Sequence, residues 1–166
     1  MPPVKLRLVL LALIWPGFAP ASAEESSFSV ALAGLDGQKA DLTLAELDSL
    51  ARVEVSATQH GTSHEFEGAL VGDVLAKVGA PAGKAIRGQE LADVIVIEAR
   101  DGYKVALDLA GTDPAMRAGE RVILADRMDG KPLDEITGPF QLVVEGDLRP
   151  ARAVRMVSTI RLERVR

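Results

Sequence analysis

Residues 138–166 read GPFQLVVEGDLRPARAVRMVSTIRLERVR. The run Phe140–Glu145 has the apolar density of a buried strand, and Gly146-Asp147 supplies the turn that ends it. Proline is favoured at the first helical position, so Pro150 predicts a short helix opening beside Arg149. An alternating stretch after it predicts a final strand. From residue 149 onward six arginines, Arg149, Arg152, Arg155, Arg161, Arg164 and Arg166, face the single acid Glu163, with no lysine among them.

That segment stands against an acidic remainder. The chain of 166 residues has a formal charge of −5, while residues 149–166 alone carry +5. Such an asymmetry predicts either a local anion site or a seam of ion pairs, and it excludes a nucleic-acid partner, whose binding needs a broad basic surface. The sequence contains no cysteine. Disulfides, cysteine nucleophiles and thiolate metal ligands are therefore excluded.

The chain opens MPPVKLRLVLLALIWPGFAPASA. Lys5 and Arg7 precede an apolar run from Leu8 to Trp15, and Ala21-Ser22-Ala23 has the small-residue pattern of a cleavage site. This is the layout of a secretory signal peptide, too short in its apolar part to span a bilayer comfortably. The expectation is a signal peptide over 1–23 and one domain over 24–166. It is expected to be periplasmic or secreted and not itself membrane-embedded.

Working back through the domain, Phe28–Leu32 and Gln38–Leu42 predict paired strands around Asp36-Gly37. Thr43-Leu44-Ala45-Glu46 is a capping box, starting a helix through Leu50 with Leu44, Leu47 and Leu50 toward the core. Arg52–Thr58 alternates as a strand. Gln59–His64 is polar and reads as a loop before a brief strand, Glu65–Glu67, ended by Gly68. Ala69–Val78 has helical spacing and Gly79 behind it. Val94–Glu98 and Tyr103–Leu109 flank Asp101-Gly102, a hairpin signal. Arg121–Ala125 is a further apolar run. About eight strands with two or three scattered short helices predict an α+β fold, dominated by β in mixed sheets, rather than a doubly wound parallel sheet.

Several motifs occur in an order that resembles a known family. Phe66-Glu67-Gly68-Ala69-Leu70-Val71-Gly72-Asp73-Val74-Leu75 resembles a "W-x-G-x-x-L-x-D-L-L" helix start, and Asp101-Gly102-Tyr103 a "DGY" hairpin. Leu124-Ala125-Asp126 with Gly130-Lys131-Pro132-Leu133 is similar to "LLA…NGxPL", and Gly138–Val144 to "GPLRLVVPG". These are the marks of the oxidoreductase molybdopterin-binding domain, the sulfite-oxidase fold. The resemblance implies a molybdenum–pterin cofactor held by a cysteine thiolate on the loop after the third strand, at about Ala57–Ser63 here. With Gln59 or His60 near that position and no cysteine, the fold is expected to carry over and catalysis is not.

Two groups of residues are candidates for a site. Arg149, Arg152 and Arg155, with His60, are candidates to bind a small anionic ligand at a helix start. The alternative pairs these arginines with acids such as Asp126, Asp129 or Asp147. His60 and His64, with Glu65 or Glu67, are candidate metal ligands, nitrogen and oxygen donors suited to zinc or copper. The leading expectation is a non-catalytic exported module that binds a small anion or assists a membrane-protein partner. Its alternatives are a molybdenum–pterin oxidoreductase with a non-thiolate ligand, and an interaction protein with no small ligand.

Overall fold

The structure is a computed structural model and describes residues 28–165. The predicted signal peptide lies outside the described residues. Two sheets carry the fold. In the first, β2 (Lys39–Thr43) pairs β1 (Ser29–Ala33), which runs parallel to β10 (Val157–Arg164); β10 then pairs antiparallel with β5 (Asp93–Ala99), and β5 with β6 (Lys104–Asp108). In the second, β3 (Arg52–Gln59), β4 (Thr62–Leu70) and β7 (Val122–Met128) form an antiparallel ladder. The short strands β8 (Lys131–Pro132) and β9 (Gln141–Val144) both join β7. Three short helices, α1 (Leu44–Asp48), α2 (Val71–Ala76) and α3 (Leu109–Thr112), are scattered among the strands. This is the expected α+β, β-dominated mixed-sheet class. Among the described residues no helix is long and apolar enough to cross a membrane.

The main core lies between the sheets. Val30, Leu32, Ile95, Ile97 and Ile160 meet Val74 and Leu75 of α2 and Leu124 and Leu142 of the second sheet, all essentially inaccessible. The second sheet has another buried face, where Val55, Phe66, Ile123, Ala125 and Val143 cluster. Burial of both faces explains why Val122-Ile123-Leu124-Ala125 is a continuous apolar run instead of an alternating one.

The capping box forms as predicted. Glu46 N–H donates to Thr43 Oγ1 at 3.3 Å and Thr43 N–H to Glu46 Oε2 at 2.8 Å. Leu47 is buried, but Leu44 is 43% exposed, so α1 offers a narrower apolar face than its three leucines imply. The loop expected at Gln59–His64 does not exist. The β3–β4 ladder continues to the pair Gln59/Thr62, and the chain reverses at His60 and Gly61, with φ of 50° and 83°. Positive φ at both turn positions is the two-residue hairpin geometry that matches strand twist.

Candidate functional site

The arginine segment leaves β9 at Glu145 and rejoins the sheet at β10. Glu145 fastens its start: Arg121 donates to Glu145 Oε2 through Nε and to Oε1 through Nη2, both at 2.8 Å, and the Arg121 N–H adds a bond of 3.0 Å. The Arg121 guanidinium therefore holds the Glu145 carboxyl below its ordinary value of 4.5. A carboxyl depressed by folding contributes stability above its unfolded pKa, and that contribution is lost as pH falls through the folded pKa. The melting temperature is expected to drop on acidification below about pH 4.5. Glu145→Gln should lower it at pH 7 and flatten this acid limb in a series of thermal melts.

Pro150 does stand at the first helical position, but the element it opens is a single 3-10 turn, Pro150–Arg152. One turn has too few aligned peptides to make a helix N-terminal anion site, so the expected helix start does not supply one. Arg152 is committed to Asp147, with Nε 2.9 Å from Oδ2 and Nη2 on Oδ1. Arg161 pairs with Glu163 and Glu98, and Arg164 with Asp93 and Glu90. Much of the basic segment is thus a seam of ion pairs, and of the three acids expected as its partners only Asp147 serves. Asp126 takes Arg52 at 2.6 Å, and Asp129 takes His64. Arg149 is exposed and makes no ion pair among the described residues. Arg155 places Nη2 3.0 Å from His60 Nε2, which joins the tip of the β3–β4 hairpin to the arginine segment.

The two histidines do not converge. His60 faces Arg155, whereas His64 Nδ1 lies 2.7 Å from Asp129 Oδ2. The His64 contact and the Glu65 N–H together depress the Asp129 carboxyl. Glu65 accepts from Ser56 Oγ at 2.6 Å and Glu67 from Arg52 Nε at 3.0 Å. No group of three or more His, Cys, Asp or Glu side chains among the described residues is disposed to hold a metal. His60 stands in the turn with its Nε2 beside the Arg155 guanidinium, and His64 stands on β4 opposite Ala57, so the two histidines keep separate partners.

Sequence reasoning missed two participants. Tyr103 Oη donates to Ala151 O at 2.6 Å, tying the β5–β6 hairpin to the 3-10 turn. Gln59, 6% exposed, is the last inward position of β3, and its Nε2 has no protein partner. The alternation Val53, Val55, Ala57, Gln59 carried the signal for this inward glutamine. Between the end of β3 and the arginine segment is a cavity of about 10 Å³, bounded by Ala57, Thr58 and Gln59 on one side and Asp147, Pro150 and Ala153 on the other. A larger surface cleft of about 730 Å³, lined by Leu35, Asp36, Val78, Glu90 and Arg164 among others, shares no residue with it.

The residues present do not fit a thiolate-held molybdenum. The sequence has no sulfur nucleophile to donate. The hairpin end where the resemblance implies the ligand offers an amide turned inward and an imidazole engaged by arginine. The space above Gln59 is far smaller than a pterin.

A search of curated proteins finds no match. Among solved structures, the sulfane dehydrogenase SoxCD from Paracoccus pantotrophus superimposes with a TM-score of 0.58 at 18% identity, covering 81% of this chain and 38% of that one. At that identity the likeness concerns the fold, and the chain spans well under half of the matched enzyme chain. A model of the oxidoreductase molybdopterin binding domain matches residues 17–165, and with nearly the whole chain so matched, this protein belongs to that family.

Proposed function

We propose that this chain is a non-catalytic, exported member of its family that binds a small anion at the surface formed by Arg149, Arg155 and His60. The observation that carries this reading is the pairing pattern of the segment. Arg152 is neutralised by Asp147, while Arg149 and Arg155 make no ion pair with a carboxylate among the described residues. A guanidinium presents planar paired donors suited to phosphate, sulfate or carboxylate, and the His60 ring sits beside one of them. Arg152 and Asp147 then hold the segment's shape, and a membrane-protein partner would read the anion-loaded surface.

Thermal shift against phosphate, sulfate, organic acids and free pterins tests the reading. An anion at a hundred times its Kd stabilises by about 2.7 kcal/mol, a readily seen rise in Tm. Arg149→Ala/Arg155→Ala should abolish that rise. No shift with any anion, or a full shift in the double variant, removes the ligand. The competing reading, a molybdenum–pterin enzyme using a nitrogen or oxygen ligand, draws on family membership. Stoichiometric molybdenum in protein taken from cofactor-replete native cells would replace the first reading with the second. Export rests on residues 1–23, and a mature N-terminus at Glu24 in protein recovered from those cells checks it.

A further inference from the structure

Among the described residues, buried side-chain atoms without a partner occur on Arg52, Gln59 and Gln141. The orphaned Arg52 nitrogen belongs to a guanidinium already bound to Glu67 and Asp126. Gln141 is packed inside the second sheet opposite Ala125. Gln59 differs in that it lines a cavity.

We propose that this cavity is a built site for one water molecule, which the Gln59 amide binds and shares with the arginine segment. Alternation along β3 turns Gln59 inward, and the chain reverses immediately after it at His60-Gly61, so its amide is the last group of the strand to reach the interior. A buried N–H with no acceptor is costly to leave unmade. The volume, about 10 Å³, is the least that holds one water molecule.

The lining selects the chemistry of the occupant. The Gln59 nitrogen donates and so disfavours a cation. Asp147 lines the same space, and an acidic residue there disfavours an anion. Each Asp147 oxygen accepts one bond from Arg152 and keeps a lone pair for another donor. A neutral molecule that accepts from the amide and donates to a carboxylate or to Thr58 meets these demands, and water does so with the least volume. Val143, Val144 and Pro150 close the remainder with apolar surface. The water would tie the end of β3 to the segment that carries Arg149, independently of whether that surface binds an anion.

A high-resolution crystal structure of the native chain tests the site directly. One ordered water is expected about 2.8–3.2 Å from Gln59 Nε2, with a second bond to Asp147 or Thr58. An empty cavity, or one filled by side-chain atoms, overturns the proposal. In Gln59→Leu, which removes the donor, the water should disappear. Amide-exchange protection at Ala153, whose N–H bonds Pro150 O, should then fall by about fivefold. Unchanged protection at Ala153 would overturn the tie between strand and segment.

Discussion

Gly68→Ala is expected to unfold this domain or lower its stability by more than about 3 kcal/mol, a large share of what a domain of this size has. Gly68 lies within β4, where the ladder with β7 shifts register between Glu67 and Gly68. A Cβ at this position would stand 2.0 Å from Leu124 O, 2.6 Å from Ala125 Cα and 2.7 Å from the Leu124 carbonyl carbon. All three are backbone atoms of a strand that is also paired with β9, so no rotamer change relieves the overlap. To accommodate the methyl, β7 must move, and Leu124 and Ile123 move with it, disturbing both cores together. Gly72→Ala is the matched control. It lies in α2, nothing stands within 4 Å of its added Cβ, and alanine there should be neutral or slightly stabilising. Urea unfolding followed by circular dichroism compares the two. A Gly68→Ala midpoint within experimental error of the native chain would show that these strands do not approach so closely.

Gly68 also shows where a single sequence informs and where it misleads. Read locally, a glycine after three strand-like residues ends the strand. In the fold β4 continues through it to Leu70, because the glycine serves a close backbone approach from a strand more than fifty residues away. Local signals are legible: the capping box of Thr43 and Glu46, the Asp101-Gly102 hairpin and the termination of α2 near Gly79 all lie within a few residues of their partners. The stretch Gln59–His64 misleads for a different reason. Its polarity reflects the exposed tip of a hairpin extending past the core, not irregular backbone, and histidine tolerates the left-handed conformation that His60 adopts. The arginines divide along the same line. Arg152 and Asp147 are five residues apart across a turn, so their pairing could be anticipated. Arg164 finds Asp93 at a separation of 71, which only the β5–β10 register discloses. What separates Arg152, Arg161 and Arg164 from Arg149 and Arg155 is a carboxylate partner, and for Arg164 no local pattern discloses it.

Phe66→Ala should cost about 3–5 kcal/mol, the range for emptying a fully buried aromatic site. Phe66 is 0% exposed and is the largest side chain in a cluster of only five buried residues, with Val55, Ile123, Ala125 and Val143. Its ring also meets the His64 ring edge-on, centroids 6.3 Å apart. In a cluster this small the truncated volume has few neighbours able to move in. Met128 is the most adaptable of them, which places the expected cost toward the lower part of the range. Phe66→Leu keeps most of the volume and should cost much less. The consequence reaches the candidate site, because Phe66 anchors the strand that pairs with β3, and the free end of that hairpin carries Gln59 and His60. Under conditions where Phe66→Ala is still folded, any thermal shift with phosphate or sulfate should be weaker than in Phe66→Leu, although Phe66 touches neither Arg149 nor Arg155. The one tryptophan, Trp15, lies outside the described residues, so circular dichroism is the appropriate probe of their unfolding. A loss below about 1 kcal/mol would mean that the second cluster is not a core at all. The hairpin would then be held in place by its ladder with β7 and its polar contacts to Asp126, Asp129 and Arg155.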